Sequence, residues 1–449
     1  MRTELLLTDA KAAISGAEIL LIVGRRDRLL ADDVLDLLPE AARALWDGLI
    51  DEASPGDAGA AVSTRLAGEG PKRLIAAVLP EACSRHNSPA RPHAIADLVR
   101  SHANQKGQIG VLLAIEEAAH AVAAVGAAAR ALPAYRRKTK DADAPHRVRV
   151  ACLAGDGKAI DLDRLEVIAN AVRTSARLVD MPPNELHTDA FVDLARETAA
   201  RLGVDIEVLA GDELARAGFG GLAAVGQAAE RPPALVVLRY DPPQADKQTR
   251  TIALVGKGII YDTGGLSLKS REHMAGMKTD MGGAAAVFGA FTAAVRLGTP
   301  HRLRALLCLA ENAIGSKAFR NDDIITLYSG RTVEVNNTDA EGRLVLGDGV
   351  AYATRHLNPD VLIDLATLTG AQLVATGHRH AGAVCNDDAL EAAAVAAGRK
   401  TGDLVHPLPY CPEFYRKEFK SPVADLKNSV KDRMNAQSSC AGQFVAEHF

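Results

Sequence analysis

Two clusters of side chains in this sequence could do chemistry together. The first is Lys257, Asp262, Lys269 and Asp280, within Val255-Gly-Lys-Gly-Ile-Ile-Tyr-Asp-Thr-Gly-Gly and the segment that follows. The second is Asp339, Glu341 and Arg343, within Asn337-Thr-Asp-Ala-Glu-Gly-Arg-Leu. The acids can bind metal if the fold brings the clusters together. Lys257 or Lys269 could then act beside a metal, and Arg343 could hold an anion. Such a set suits hydrolysis of a neutral, unreactive bond. Carboxylates in this number fit two neighbouring divalent ions that share a bridging carboxylate and activate a bridging water. A lysine ligates a metal only as the neutral amine, so a nearby dication has to depress its pKa.

Positioning these groups requires an α/β scaffold. The pattern predicts strands at Ala234–Arg239, Thr251–Lys257, Leu303–Leu309 and Val361–Ala366, and helices at Gly282–Leu297 and Leu344–His356. Lys257 then ends a strand, and Asp262 lies in the glycine-bounded loop after it. Asp280, and the pair Asp339 and Glu341, each precede a helix. Thr367 to Gly370 follow another strand end. Ligands in open α/β sheets bind at the carboxyl ends of strands, so these segments are candidates to converge. The first two strands are expected to form an antiparallel pair on an otherwise parallel sheet. The bland alternative makes Asp280 a helix N-cap and Asp339 and Glu341 solvated loop charges. It can hold for any one acid and is weak for the whole set. His187 and His273 read as polar surface residues.

The N-terminal part reads as a second α/β layer. Strands are expected at Ile19–Val23, Leu74–Leu79, Ile109–Ile115 and Val148–Ala154, with helices at Ala94–Ser101 and Glu116–Leu132 and an exposed loop at Pro133–Arg147. It holds no compelling catalytic cluster. A connecting helix, Asp161–Val179, is capped by Asp161 and stopped by Pro182-Pro183. At 449 residues the chain exceeds one core, so two domains are expected, 1–160 and 161–449.

Composition excludes several classes. A formal net charge of −4 gives no electrostatic footprint for nucleic acid or an anionic membrane. No N-terminal signal is visible, and the apolar stretch Ala118–Leu132 is too short to span a bilayer. Cys83, Cys152, Cys308, Cys385, Cys411 and Cys440 show no pairing or CxxC spacing, and read as buried reduced thiols, which fits the cytoplasm. Gly256-Lys257 is followed by glycine, not Ser or Thr, so it is no phosphate P-loop. GxGxxG is absent here, and HExxH and GxSxG are absent from the chain.

The segments quoted above, with Asp280-Met-Gly-Gly-Ala-Ala, Met181-Pro-Pro-Asn-Glu-Leu, Ala366-Thr-Leu-Thr-Gly-Ala and Val423-Ala-Asp-Leu-Lys-Asn, resemble the leucyl (cytosol) aminopeptidase family of dinuclear zinc exopeptidases. Asn337–Leu344 is that family's signature, and Tyr261-Asp-Thr-Gly-Gly followed by Leu-Ser-Leu-Lys resembles its aminopeptidase-like branch. The resemblance covers roughly residues 161–449; the N-terminal part agrees in length only. It implies a macro-like N-terminal domain and a zinc-exopeptidase-type (phosphorylase/hydrolase-like) catalytic domain, each a mixed sheet with helices on both faces. It implies two divalent ions per subunit, Zn2+ or else Mn2+, held by Lys257, Asp262, Asp280, Asp339 and Glu341, with Asp262 and Glu341 bridging. Lys269 matches the residue that stabilises the gem-diolate. Arg343 matches the residue holding a bicarbonate that serves as general base. Met277, Thr367 and Gly370 match the wall receiving the first side chain, and Leu368 a backbone contact to substrate. Peptide substrates, a cytoplasmic location and a homohexamer follow from the same resemblance.

The sequence departs from the family pattern at its end. It stops at Phe449, inside a helical segment expected at Ala436–Phe449, where family members continue into a Trp-x-His-x-Asp-like strand and a final helix. The expectation is therefore a chain lacking that end, with its catalytic positions present. Two rival readings are a DNA-binding accessory protein, which the acidic balance disfavours, and an inactive scaffold, which the complete set of site residues disfavours.

Overall fold

The computed structural model describes residues 3–68, 70–139 and 146–449, so the loop expected at Pro133–Arg147 lies partly outside the described residues. By compactness the chain separates into two units. One holds the residues up to Arg173 with Arg379–Ala381 and Asp387–His406; the other holds the remainder. No helix among the described residues is long and apolar enough to cross a membrane.

The first unit is built on β1 (Thr3–Leu7), β2 (Ile19–Gly24), β3 (Ala60–Arg65), β4 (Arg73–Val78), β5 (Gln108–Ile115) and β6 (His146–Ala154), in the order β1-β6-β5-β2-β4-β3. All neighbours are parallel except β3 with β4. The strands β2, β4 and β5 are apolar on both faces because both are covered. Leu21 and Val23 pack with the helices Pro92–His102 and Ala121–Ala131, while Leu20 and Ile22 pack with Trp46 of the helix Glu40–Glu52. The second of these helices starts at Ala121, not Glu116; a short 3-10 turn, Ala118–His120, takes the residues ahead of it.

The second unit has a five-stranded sheet of β7 (Asp205–Ala210), β8 (Ala234–Tyr240), β9 (Thr251–Asp262), β10 (Arg302–Asn312) and β13 (Val361–Leu365), in the order β13-β9-β10-β8-β7. A small sheet joins β11 (Ile324–Thr326), β12 (Thr332–Glu334) and β14 (Leu426–Lys427). Helices Thr188–Leu202 and Gly282–Arg296 cover one face of the large sheet, with Phe191, Phe288 and Phe291 inside. Helix Gly342–Leu357 covers the other, and Gln437–Ala446 packs on that helix, with Leu344, Leu346 and Phe444 inside.

Two expectations fail here. β8 and β9 are not a pair: β10 lies between them, parallel to β9 and antiparallel to β8. Their long connection lets the chain step past one strand, whereas a tight hairpin turn would have forced adjacency. And β9 does not stop at Lys257 but runs to Asp262, because Gly256 and Gly258 are strand residues in the β10 ladder.

The thiols divide. Cys308 and Cys440 are buried, Cys152, Cys385 and Cys411 are half-buried and Cys83 is exposed. Burial pushes the Cys152 thiol up to about 12.

Candidate active site

Lys257 is in the middle of β9, opposite Cys308, and shares the face of Val255 and Ile259. Asp262, five residues on, would face the other way on a regular strand. It does not, because the β9–β10 register shifts. Ile259 pairs with Ala310 and Asp262 with Asn312, so Ile260 and Tyr261 together stand opposite Glu311. This bulge returns Asp262 to the face of Lys257, the re-aiming of a side chain that bulges achieve beside functional sites.

The two covering helices bring the other acids. Glu341 is the N-cap of Gly342–Leu357, and Asp280 stands two residues before Gly282–Arg296. Their helix N-termini favour anionic groups. Asp280 does not cap its helix; Met281 holds the N-cap position. The helices can come this close because glycines meet them: a Cβ on Gly283 would stand 1.9 Å from the Leu365 carbonyl oxygen, and one on Gly342 2.4 Å from Lys257 Cε. Gly264 and Gly265, both at positive φ, fold the loop after β9 back toward Lys269.

Carboxylate oxygens of Asp262, Asp280 and Glu341 all lie within 4.8 Å of one another, and all three residues are buried. Lys257 Nζ stands 2.8 Å from Asp280 Oδ2 and 3.0 Å from Glu341 Oε1, and donates to the Thr367 carbonyl at 2.9 Å. Lys269 Nζ stands 2.7 Å from Asp262 Oδ2 and 2.5 Å from Asp339 Oδ1. Asp339 is outside the tight trio and half-buried, joined to it through Lys269. Glu341 is 1% exposed, so it is no solvated loop charge.

Burial works against ionising this many acids beside two lysines. Burial, aided by Asp262 and Asp280 and opposed by Lys257, lifts Glu341 to about 8. Burial likewise raises Asp280 and Asp339 above the usual carboxylate range. Burial pulls Lys257 down, but Asp280, Glu341 and Asp262 outweigh it and its affinity for the proton rises. Glu341 Oε2 has no hydrogen-bond partner among the described residues. Oxygen donors in this number, with an amine beside them and one buried oxygen unspent, fit divalent cations; Zn2+ takes such mixed oxygen and nitrogen sets and Mn2+ suits the carboxylates.

Arg343 is in the first turn of Gly342–Leu357 and buried, and its Nε and Nη1 have no partner among the described residues. Burial lowers its pKa to about 10, with Glu341 and Cys440 pulling the other way. A buried guanidinium with unspent donors suits a small oxyanion. Thr367 Oγ1 donates to Asp280 Oδ1 at 2.7 Å. Leu368 packs on the core beneath Gly342–Leu357. Gly370 is exposed at the start of the helix Ala371–Thr376, and Met277 is half-buried in the 3-10 turn before Asp280. His187 caps Thr188–Leu202, and exposed His273 bonds Ser270; neither is in the cluster.

Sequence reading missed the buried amides. Asn428 Nδ2 donates to the Asn337 and Ala340 carbonyls at 2.6 and 3.3 Å, and Asn428 Oδ1 accepts from Asn336 and Asn337, fixing the loop that carries Asp339. Asn312 binds Asp262 itself. The one available signal for Asn312 was a polar residue closing a long apolar strand.

The chain resembles known proteins along most of its length. The model of the cytosol aminopeptidase family catalytic domain matches residues 173–449, and that of the M17 aminopeptidase N-terminal domain 2 matches residues 18–141. The likeness thus extends well before residue 161, beyond agreement in length. The probable aminopeptidase NPEPL1 of Mus musculus is 49% identical over 379 residues, 83% of this chain and 72% of that protein. The apo leucyl aminopeptidase of Trypanosoma cruzi superposes with a TM-score of 0.91 and 42% identity, covering 100% of this chain and 90% of that one. The Leishmania major leucyl aminopeptidase, solved in complex with actinonin, gives a TM-score of 0.93 and 39% identity, over 100% of this chain and 88% of that one.

Proposed function

The chain belongs to the cytosol aminopeptidase family of exopeptidases, and on that premise we propose that it removes N-terminal residues from peptides by metal-dependent hydrolysis at the buried acid cluster. The observation that carries this reading is the trio Asp262, Asp280 and Glu341, whose crowded oxygens call for more positive charge than two lysines supply. Lys257, Asp262, Asp280, Asp339 and Glu341 would hold two divalent ions, Zn2+ or else Mn2+, which supply an activated water and polarise the peptide carbonyl. To ligate, Lys257 must give up its proton. Lys269 keeps its own, because Asp262 and Asp339 face it, and brings fixed positive charge to the carbonyl oxygen as that oxygen becomes negative. Arg343 would hold a bicarbonate, which would supply the general base beside the attacking water and the leaving amine. Met277, Thr367 and Gly370 would receive the first side chain, with Leu368 contacting substrate through its backbone. A cytoplasmic homohexamer is part of the same reading, supported by the family resemblance.

Metal analysis of purified protein, together with hydrolysis of a panel of amino-acid amides, tests it. The expected result is two divalent ions per subunit and cleavage of amides bearing a free α-amine. Equal cleavage of N-acetylated amides, or full activity in strong chelator, would overturn it.

Two variants separate the roles. Lys269→Ala is expected to keep its metal and lose roughly 100- to 1,000-fold in turnover, the effect of removing one donor to a developing oxyanion. Arg343→Ala is expected to keep its metal and lose about 100-fold, the low end of a general-base contribution. Metal content measured beside turnover checks both; loss of the ions from Arg343→Ala would reject its place as an anion holder.

A further inference from the structure

Asn312 closes β10, is fully buried and pairs with Asp262 across the bulge. Its Nδ2 donates to Asp262 Oδ1 at 2.8 Å and to the Thr338 carbonyl at 3.1 Å. Both partners are acceptors, so only a donor suits the position and the orientation of the amide is settled. Its Oδ1 has no hydrogen-bond partner among the described residues, so the side chain is held there for its nitrogen alone.

Asp262 Oδ1 also accepts from Gly264 N at 2.9 Å. With Oδ1 committed twice, Oδ2 is the oxygen presented to Lys269 Nζ. Asn312 therefore sets the rotation of the Asp262 carboxylate. It also clamps the end of β9 to the residue just before Asp339. Thr338 completes the clamp: its Oγ1 donates to the Gly264 carbonyl at 2.6 Å and accepts from Ser267 N at 2.7 Å.

We infer that Asn312 is a positioning residue for the hydrolytic site, holding Asp262 and the Asp339 loop in the mutual geometry that binds cations. The inference rests on the metal-dependent reading of the cluster. A group that orients a metal-binding carboxylate governs affinity without touching the ion, typically by 10- to 100-fold.

The test uses the full chain with Asn312→Ala and Asn312→Ser. Zn2+ affinity is measured by competition with a chromophoric chelator, the melting temperature is taken in excess chelator, and kcat and KM are measured for leucine amide at saturating Zn2+. Zn2+ affinity is expected to fall about 10- to 100-fold in both variants, with KM for the amide within about twofold of the parent. A lowered melting temperature with unchanged Zn2+ affinity would reduce Asn312 to a packing role and overturn the inference. Should Asn312→Ala fail to fold, Asn312→Ser, which keeps a polar atom in the buried space, decides the matter. A parent protein that binds no Zn2+ refutes the metal reading instead, and the two failures are thereby told apart.

Discussion

Glu341→Ala is expected to purify without its full complement of divalent ions and to lose amide hydrolysis by at least about 1,000-fold. The side chain is 1% exposed, stands 3.0 Å from Lys257 Nζ through one oxygen and leaves the other oxygen unpaired inside the trio. Metal ions contribute several kcal/mol of charge stabilisation in such reactions, and each 1.4 kcal/mol is about tenfold in rate, so loss of the site sets the scale. Folding should survive. Burial pushes the Glu341 carboxyl up to about 8, so this group opposes the folded state as pH rises toward that value. The sign follows from a folded pKa above the unfolded one: its contribution is intact below the unfolded pKa and lost as pH rises through about 8. Measured in chelator between pH 5 and 9, the parent should therefore lose more melting temperature with rising pH than Glu341→Ala does. Full metal content and activity in this variant would end the assignment of the cluster.

Gly283→Ala is expected to destabilise the protein by about 3 kcal/mol, the upper end of what overpacking commonly costs. The added methyl would stand 1.9 Å from the Leu365 carbonyl oxygen and 3.0 Å from Lys257 N, both backbone atoms that no rotamer change can clear. Helix Gly282–Arg296 must lift from the sheet or β13 must part from β9. At roughly 2–4 °C per kcal/mol for a unit of this size, the melting temperature should drop by about 6–12 °C. Function should fall with it, since Asp280 precedes that helix and its partner Thr367 follows β13. An unchanged melting temperature would show that the close contact is not a constraint.

Much of this was legible in the residues, and what was not has a physical cause. Strands such as Ile19–Gly24 and Arg73–Val78 announce themselves by continuous apolar runs, and the glycine-rich turns mark where chain and ligand can approach. β9 was read five residues short because glycines at 256 and 258 look like a break; inside the ladder, helix backbone presses on Gly256, and β10 crowds Gly258. The position of β10 between β8 and β9 is a long-range pairing choice, and local pattern carries no record of it. Asn312 and Asn428 are single polar residues whose importance comes from the backbone groups and the carboxylate they reach across 26 to 92 residues of chain. The acids themselves were found because their spacing and their glycines form a pattern; Asn312 belongs to none, and the segment ending at Asn428 carries no sign of what that amide holds.

The bulge before Asp262 has a hereditary corollary. Straightening the ladder at unchanged length would carry Asp262 one step further along β10 and swing the carboxylate through the sheet to the opposite side. Deleting one residue together with the bulge would instead leave it on the same side, four positions from Lys257. Length and bulge must therefore change together, so a descendant that has altered one without the other should have abandoned the reaction.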